Sequence, residues 1–214
     1  MRVSVRLFRV MADRRGSGAA EFALILPLLL TVLFVIIDVG RLFYVVNEAE
    51  KATQMGARFA IVTDTIPAKI AAADYVGSAV CDADNNGVYE ACTQGGAIKD
   101  PAALGSVTCT SASCVGTGSY PANTAMNVGA FTRLVDKMAA FDPFIAATNV
   151  SISFRGSGIG FAGDPTGMDI VPLVTVTLSG LKFRPITFLS LVALDLPDAR
   201  TTLSAESSAG IQSN

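Results

Sequence analysis

From Phe22 to Ile37 the chain runs FALILPLLLTVLFVII, 16 positions without a charge. With the small residues Gly18 to Ala20 the stretch reaches about 20 residues, roughly 30 Å of helix, enough to cross a hydrocarbon core. Past it the composition changes while the period persists. Leu42, Val45, Val46, Ala49, Ala52, Thr53, Gly56, Phe59 and Ala60 recur at spacings of three and four, and no Pro follows until Pro67. The pattern predicts one continuous helix from residue 18 to residue 62, half in lipid and half outside it.

After Pro67 the chain turns to Ala, Gly, Thr, Ser and Asn with few charges. Ala68 to Val76 predicts a short helix, and residues 77–120 are rich in loop formers. Ala122 to Ala140 reads as an amphipathic helix with Ala130, Phe131, Leu134, Val135 and Met138 on one face, stopped by Asp142-Pro143. Beyond it the period switches to two. Val150, Ile152 and Phe154 alternate with serines, and Val174, Val176 and Leu178 alternate with threonines; Thr201 to Ser207 adds an edge strand. Gly156, Gly158, Gly160 and Gly163 lack the strand-to-helix context and the Lys of a phosphate loop, so this stretch reads as a flexible loop. Ile186 to Leu196 is apolar but too short to span a membrane and broken by Asp195. A core element, a docking surface and a segment lying on the bilayer all remain open for it. The expected fold class is α+β: a long N-terminal transmembrane stalk helix whose outer half carries a small antiparallel sheet.

Charge orients this layout. The chain has 214 residues and a formal net charge of −2, but residues 1–16 hold five arginines against Asp13, a local +4 that leaves −6 for the remainder. Asp38 and Arg41 beyond the apolar run nearly cancel and are spaced for an ion pair. The excess of arginine before the run places the N-terminus in the cytoplasm and residues 63–214 outside it. A cleaved secretory signal is the competing view, but DVGRLFYVV offers a poor small-x-small site and the stretch continues as helix. The acidic body argues against nucleic acid as a partner. There is no His, which removes Ser-His-Asp and Cys-His catalysis and the commonest metal ligand. No nucleophile motif and no paired catalytic acids stand in recognisable context, so the chain is not expected to be an enzyme.

The junction between the basic leader and the apolar run reads RRGSGAAEF. A carboxylate at the edge of lipid is costly, so Glu21 needs a partner. It is either an acidic residue favourable to the first turn of a helix, or half of an ion pair between chains. If a peptidase cuts after Gly16, the new amine of Ser17 is a cation four residues before Glu21, and Glu21 of one subunit neutralises the amine of its neighbour in a filament. Pro27 removes a backbone hydrogen bond within the run; tolerance of proline in membrane helices and a role in subunit packing are equal readings of it.

Gly16, Ser17 and Glu21 resemble the prepilin peptidase site of type IV pilins and pseudopilins. Residues 14–60 more closely resemble the TadE/TadG-like family of the tight-adherence pilus system, through Ala20-Glu21-Phe22-Ala23, Pro27, and Gly40-Arg41. The resemblance implies a minor pseudopilin or assembly factor with a pilin-like extracytoplasmic domain, anchored by a single pass in the inner membrane and serving surface attachment. The partners it implies are prepilin peptidase, other pilin and pseudopilin subunits and the inner-membrane assembly platform. It divides the chain into a basic cytoplasmic leader (1–16), a transmembrane and stalk helix (17–62) and an extracytoplasmic domain (63–214). A pseudopilin of type II secretion, and a periplasmic enzyme or binding module tethered by the helix, are the alternatives.

Four cysteines, Cys81, Cys92, Cys109 and Cys114, lie in the part placed outside the cytoplasm. An even number in an oxidising compartment predicts disulfides. Local pairing, Cys81–Cys92 and Cys109–Cys114, is the expectation among three connectivities, and the spacings without His suit zinc badly. Between the first two, Asp82, Asp84, Asn86, Gly87 and Glu90 match the first half of a calcium loop, but Thr93 stands where the bidentate acid belongs. A weak calcium site and a plain polar turn are both consistent with that pattern. No other cofactor is expected.

Overall fold

The computed structural model describes residues 17–100, 104–118, 125–165, 168–186 and 193–205. These fall into two units, one drawn from Met1–Tyr44 with Phe183–Leu194, the other from Val45–Lys182 with Asp195–Asn214. The architecture is α+β, as the periodicity predicts. Helix α1, Ser17–Val62, is a single element of 46 residues with Pro27 inside it.

The first unit is mostly the apolar part of α1. Its side chains face outward: Leu24 is 80% exposed and Leu28 68%. A helix apolar all round and bare of protein suits lipid rather than water. It is long and apolar enough to cross a membrane. Where Pro27 withholds its N–H, the Thr31 hydroxyl donates to the Pro27 carbonyl at 2.8 Å.

The second unit is built on a five-stranded antiparallel sheet. Strands β1 (Ala79–Cys81) and β2 (Glu90–Ala91) form a separate two-stranded ribbon. Strands β3 (Ser106–Cys109), β4 (Cys114–Thr117), β5 (Val150–Arg155), β6 (Leu173–Leu178) and β9 (Ala199–Ser204) pair in the order β4-β3-β5-β6-β9. The remaining strands, β7 (Lys182–Phe183) and β8 (Leu194–Asp195), pair with each other. Alternation decides the faces. Val107 and Cys109, Val150, Ile152 and Phe154, and Val174, Val176 and Leu178 are buried, while Thr108, Ser151, Ser153, Thr175 and Thr177 point to the other side. Thr175 and Thr202 join hydroxyls across β6 and β9 at 2.8 Å on that polar face. Thr201 shares its row with Val176, Ile152 and Cys109 on the buried face, and its hydroxyl meets that of Thr53 at 3.1 Å. The outer half of α1 therefore lies on the apolar face of the sheet.

Small residues allow that approach. Ala49, Ala52, Thr53, Ala57 and Ala60 of α1 are all buried. Helix α2, Val128–Ala139, buries Ala130, Phe131, Leu134, Val135 and Met138, the face expected from its spacing. It packs on α1 where Gly56 has no side chain: a Cβ there would sit 2.9 Å from Met138 Sδ and 3.3 Å from Leu134 Cδ1. Arg133 pairs with Asp64 at 3.5 Å and Lys137 lies 5.9 Å over the Phe59 ring, closing the same contact from its rim.

Several sequence expectations need correction. Ala68 to Val76 forms turns rather than a helix. Its amides go elsewhere, Ala68 N–H to Ala125 O and Tyr75 N–H to the Asp169 carboxylate, and tertiary bonds override local preference. Helix α2 starts at Val128 instead of Ala122. Asn127 caps it by accepting from Ala130 N–H, and its own N–H is held by Ile66 O; residues 122–124 lie outside the described residues. Gly158 to Gly163 is a bonded segment, not an open loop. Gly95 donates to Ala162 O, Ala162 to Gly96 O and Ile98 to Gly160 O. Gly160 has φ +153°, and a Cβ there would run into the Asp169 carbonyl, so only glycine fits. The edge strand ends at Ser204, and residues 206 and 207 lie outside the described residues.

Candidate functional site

The sequence points to two places: the start of α1 and the cysteine-bearing body. Gly16 lies outside the described residues. Ser17 opens the helix, and Glu21 follows one turn later, exposed to its surroundings. From Phe22, also exposed, the outward-facing apolar run begins. A free amine at Ser17 and a carboxylate at Glu21 would thus present opposite charges one turn apart at the end of a bare apolar helix.

The other end of the apolar run holds a feature the sequence does not announce. Asp38 is 7% exposed although it ends a stretch bare of protein. Its carboxylate takes the Arg41 guanidinium at 3.1 Å, the pair expected from the i,i+3 spacing. It also accepts the Ile186 backbone N–H on both oxygens, at 2.9 and 3.1 Å. Arg41 in turn lies 5.4 Å over the Phe183 ring. Segment 183–186 is thereby tied to the helix where the apolar run stops. The available signal is a lone Asp beside Ile37 whose charge has to be satisfied, but the sequence gives no sign of which backbone does it.

All four cysteines pair locally, as expected. Cys81–Cys92 closes an 11-residue separation and Cys109–Cys114 one of five. The second joins direct register partners of the β3–β4 hairpin, with Cα atoms 4.0 Å apart. The first encloses the acidic loop. There the buried Asp82 accepts the N–H groups of Asn86 at 2.9 Å and Gly87 at 3.0 Å. Asp84 accepts from the Asn86 side chain at 3.2 Å, Asn86 accepts from Val88 N–H at 2.7 Å, and Lys99 donates to Asn85 at 2.7 Å. Glu90 stands in β2 and is exposed. Among the described residues no group of three His, Cys, Asp or Glu is placed to hold a metal ion. The carboxylate of Asp82 folds the loop by gathering its amides.

A second buried carboxylate works the same way and carries no sequence signature. Asp169 accepts N–H groups from Tyr75 at 2.8 Å, Gly163 at 2.8 Å and Asp164 at 2.9 Å. It fastens the loop after α1 to the glycine-rich segment. Nothing in its neighbours' spacing marks it, because its partners are backbone groups and one of them comes from a distant part of the chain.

Residues 16–58 match the family model described as TadE-like protein. No curated protein and no solved structure matches the chain. The match covers the apolar helix, Glu21, Pro27, Asp38 and Arg41, and most of the small-residue face that packs on the sheet.

Proposed function

From the match of residues 16–58 to the TadE-like family model, we propose that this chain is a pseudopilin-like subunit or assembly factor of a tight-adherence pilus, held in the inner membrane until assembly. One observation carries the reading. Within the family-matched segment, α1 opens at Ser17, presents Glu21 one turn in, and continues as a bare apolar helix. Cleavage after Gly16 by a prepilin peptidase would release the basic leader and create an amine at Ser17. Glu21 of the adjoining subunit neutralises that amine as helices pack, and the pairing sets axial register, because a charge buried without its partner is strongly unfavourable. The body contributes folding and contacts, with no catalysis assigned to it. Its Asp82 loop serves as a polar turn under the Cys81–Cys92 bridge.

The test is N-terminal sequencing of the protein from cells with and without prepilin peptidase, combined with two substitutions. The mature chain should begin at Ser17, and Gly16→Leu should leave it full-length. Glu21→Gln should insert and fold normally but impair pilus formation. An intact Met1 in the presence of an active peptidase would refute processing, and a piliated Glu21→Gln strain would refute the charge pairing.

A further inference from the structure

The charge at Asp38 marks where the apolar run ends, and the chain returns there from far away in sequence. Ile186 gives its N–H to both Asp38 oxygens, while Phe183 sits against Arg41 one turn further along. The segment therefore approaches the boundary of the apolar run as it proceeds from Phe183 to Ile186. Phe183 is buried, but Ile186 is 66% exposed and Leu194, where the excursion ends, is 46% exposed. On the helix at the same level, Phe43 and Tyr44 are exposed as well. Arg184, between the buried Phe183 and the exposed Ile186, is itself exposed.

We propose that the described parts of segment 183–194 lie on the membrane surface at the outer end of α1, with Ile186 in the headgroup–acyl boundary and Arg184 among lipid phosphates. The proposal rests on the membrane reading of α1 given above. Three observations single out lipid as the occupant. The exposed apolar side chains adjoin a helix face that itself needs lipid; aromatic and basic side chains cluster at this level, as they do at bilayer interfaces; and Asp38 has its charge matched by Arg41 and its oxygens by Ile186, which lets a carboxylate sit beside hydrocarbon. Amphipathic surface attachment of this kind would fix the depth of α1 and stop it sliding along the membrane normal.

The chain contains no tryptophan, so a single introduced one reports its own surroundings. Full-length protein carrying Ile186→Trp would be reconstituted in phosphatidylcholine–phosphatidylglycerol vesicles containing lipids brominated either near the headgroup or deep in the acyl chain. Leu29→Trp serves as the reference within the apolar run. The Ile186→Trp protein should lose most of its emission to shallow bromines and little to deep ones, with the Leu29→Trp protein showing the reverse. Quenching in the reference without quenching in Ile186→Trp would overturn the surface proposal while leaving the anchor intact. If the indole at position 186 is then open to aqueous iodide it faces water, and if shielded it faces protein. Equal or stronger quenching of Ile186→Trp by deep bromines would also overturn it, showing insertion rather than surface contact. If the Leu29→Trp protein is not quenched either, the membrane reading and the proposal fall together.

Discussion

Tyr75 is 3% exposed and its hydroxyl has no hydrogen-bond partner among the described residues. Burial pushes its pKa up to about 12, and the nearby Asp169 charge pushes the same way. Both the neutral hydroxyl and its ionised form are thus disfavoured, the second more strongly. The sign of the pH effect follows. Between the ordinary value of 10.0 and about 12 the unfolded chain releases the proton while the folded chain keeps it. The stability linked to this group is fully present below pH 10 and is lost as pH rises through that window. Tyr75→Phe should therefore be neutral or stabilising at pH 7, and should flatten the loss of thermal stability between pH 10 and 12, measured by circular dichroism. Asp169 must stay in place in that variant, since three backbone amides depend on it.

Between α1 and α2 the decisive position is Gly56. An added methyl displaces the flexible end of Met138, a modest cost that the better helix propensity of alanine, worth about 1 kcal/mol, offsets. Gly56→Ala should thus leave stability nearly unchanged, whereas Gly56→Leu should cost roughly 1–3 kcal/mol by prising α2 from α1, as read from denaturant midpoints. The elements legible in the sequence are those with long, unbroken periods. The whole of α1, the buried face of α2, and strands β5 and β6 follow from spacings that repeat three times or more. The β3–β4 hairpin hides among loop formers. Each of its strands has four residues, and its turn, bonded by Thr110 N–H to Ser113 O and bridged by Cys109–Cys114, contains no Gly, Pro, Asn or Asp to announce it. Residues 68–76 mislead for the opposite reason: their local alanines suggest helix, while Ile70 and Tyr75 are buried and the Tyr75 amide is bonded to the distant Asp169. At the candidate site the Asp38–Arg41 pair is legible because its members lie about a turn apart on one helix. The Ile186 contact is not, since it joins positions 148 residues apart.

For the chain as a whole, five arginines preceding an apolar run that ends in a nearly balanced Asp38 and Arg41 predict a cytoplasmic N-terminus. Alkaline phosphatase fused after Thr65 should be active outside the cytoplasm, and β-galactosidase fused at the same point should not be active. Activity only of the cytoplasmic reporter would reverse the topology and with it the compartment expected for Cys81–Cys92 and Cys109–Cys114. Those bridges fit the same picture from the chemical side, because both persist only where thiols are not kept reduced.

The excursion from Phe183 to Leu194 leaves and rejoins the sheet-bearing unit at two points that are already bonded. Leu196 donates to Leu181 O at 2.9 Å, and Lys182 meets Asp195 at 3.3 Å. The two ends of the excursion are therefore held together independently of β6 and β9, whose register is set by their own six paired residues. In evolutionary terms a neck closed in this way predicts a stretch between its anchoring contacts that tolerates changes of length and sequence without disturbing the core that carries it.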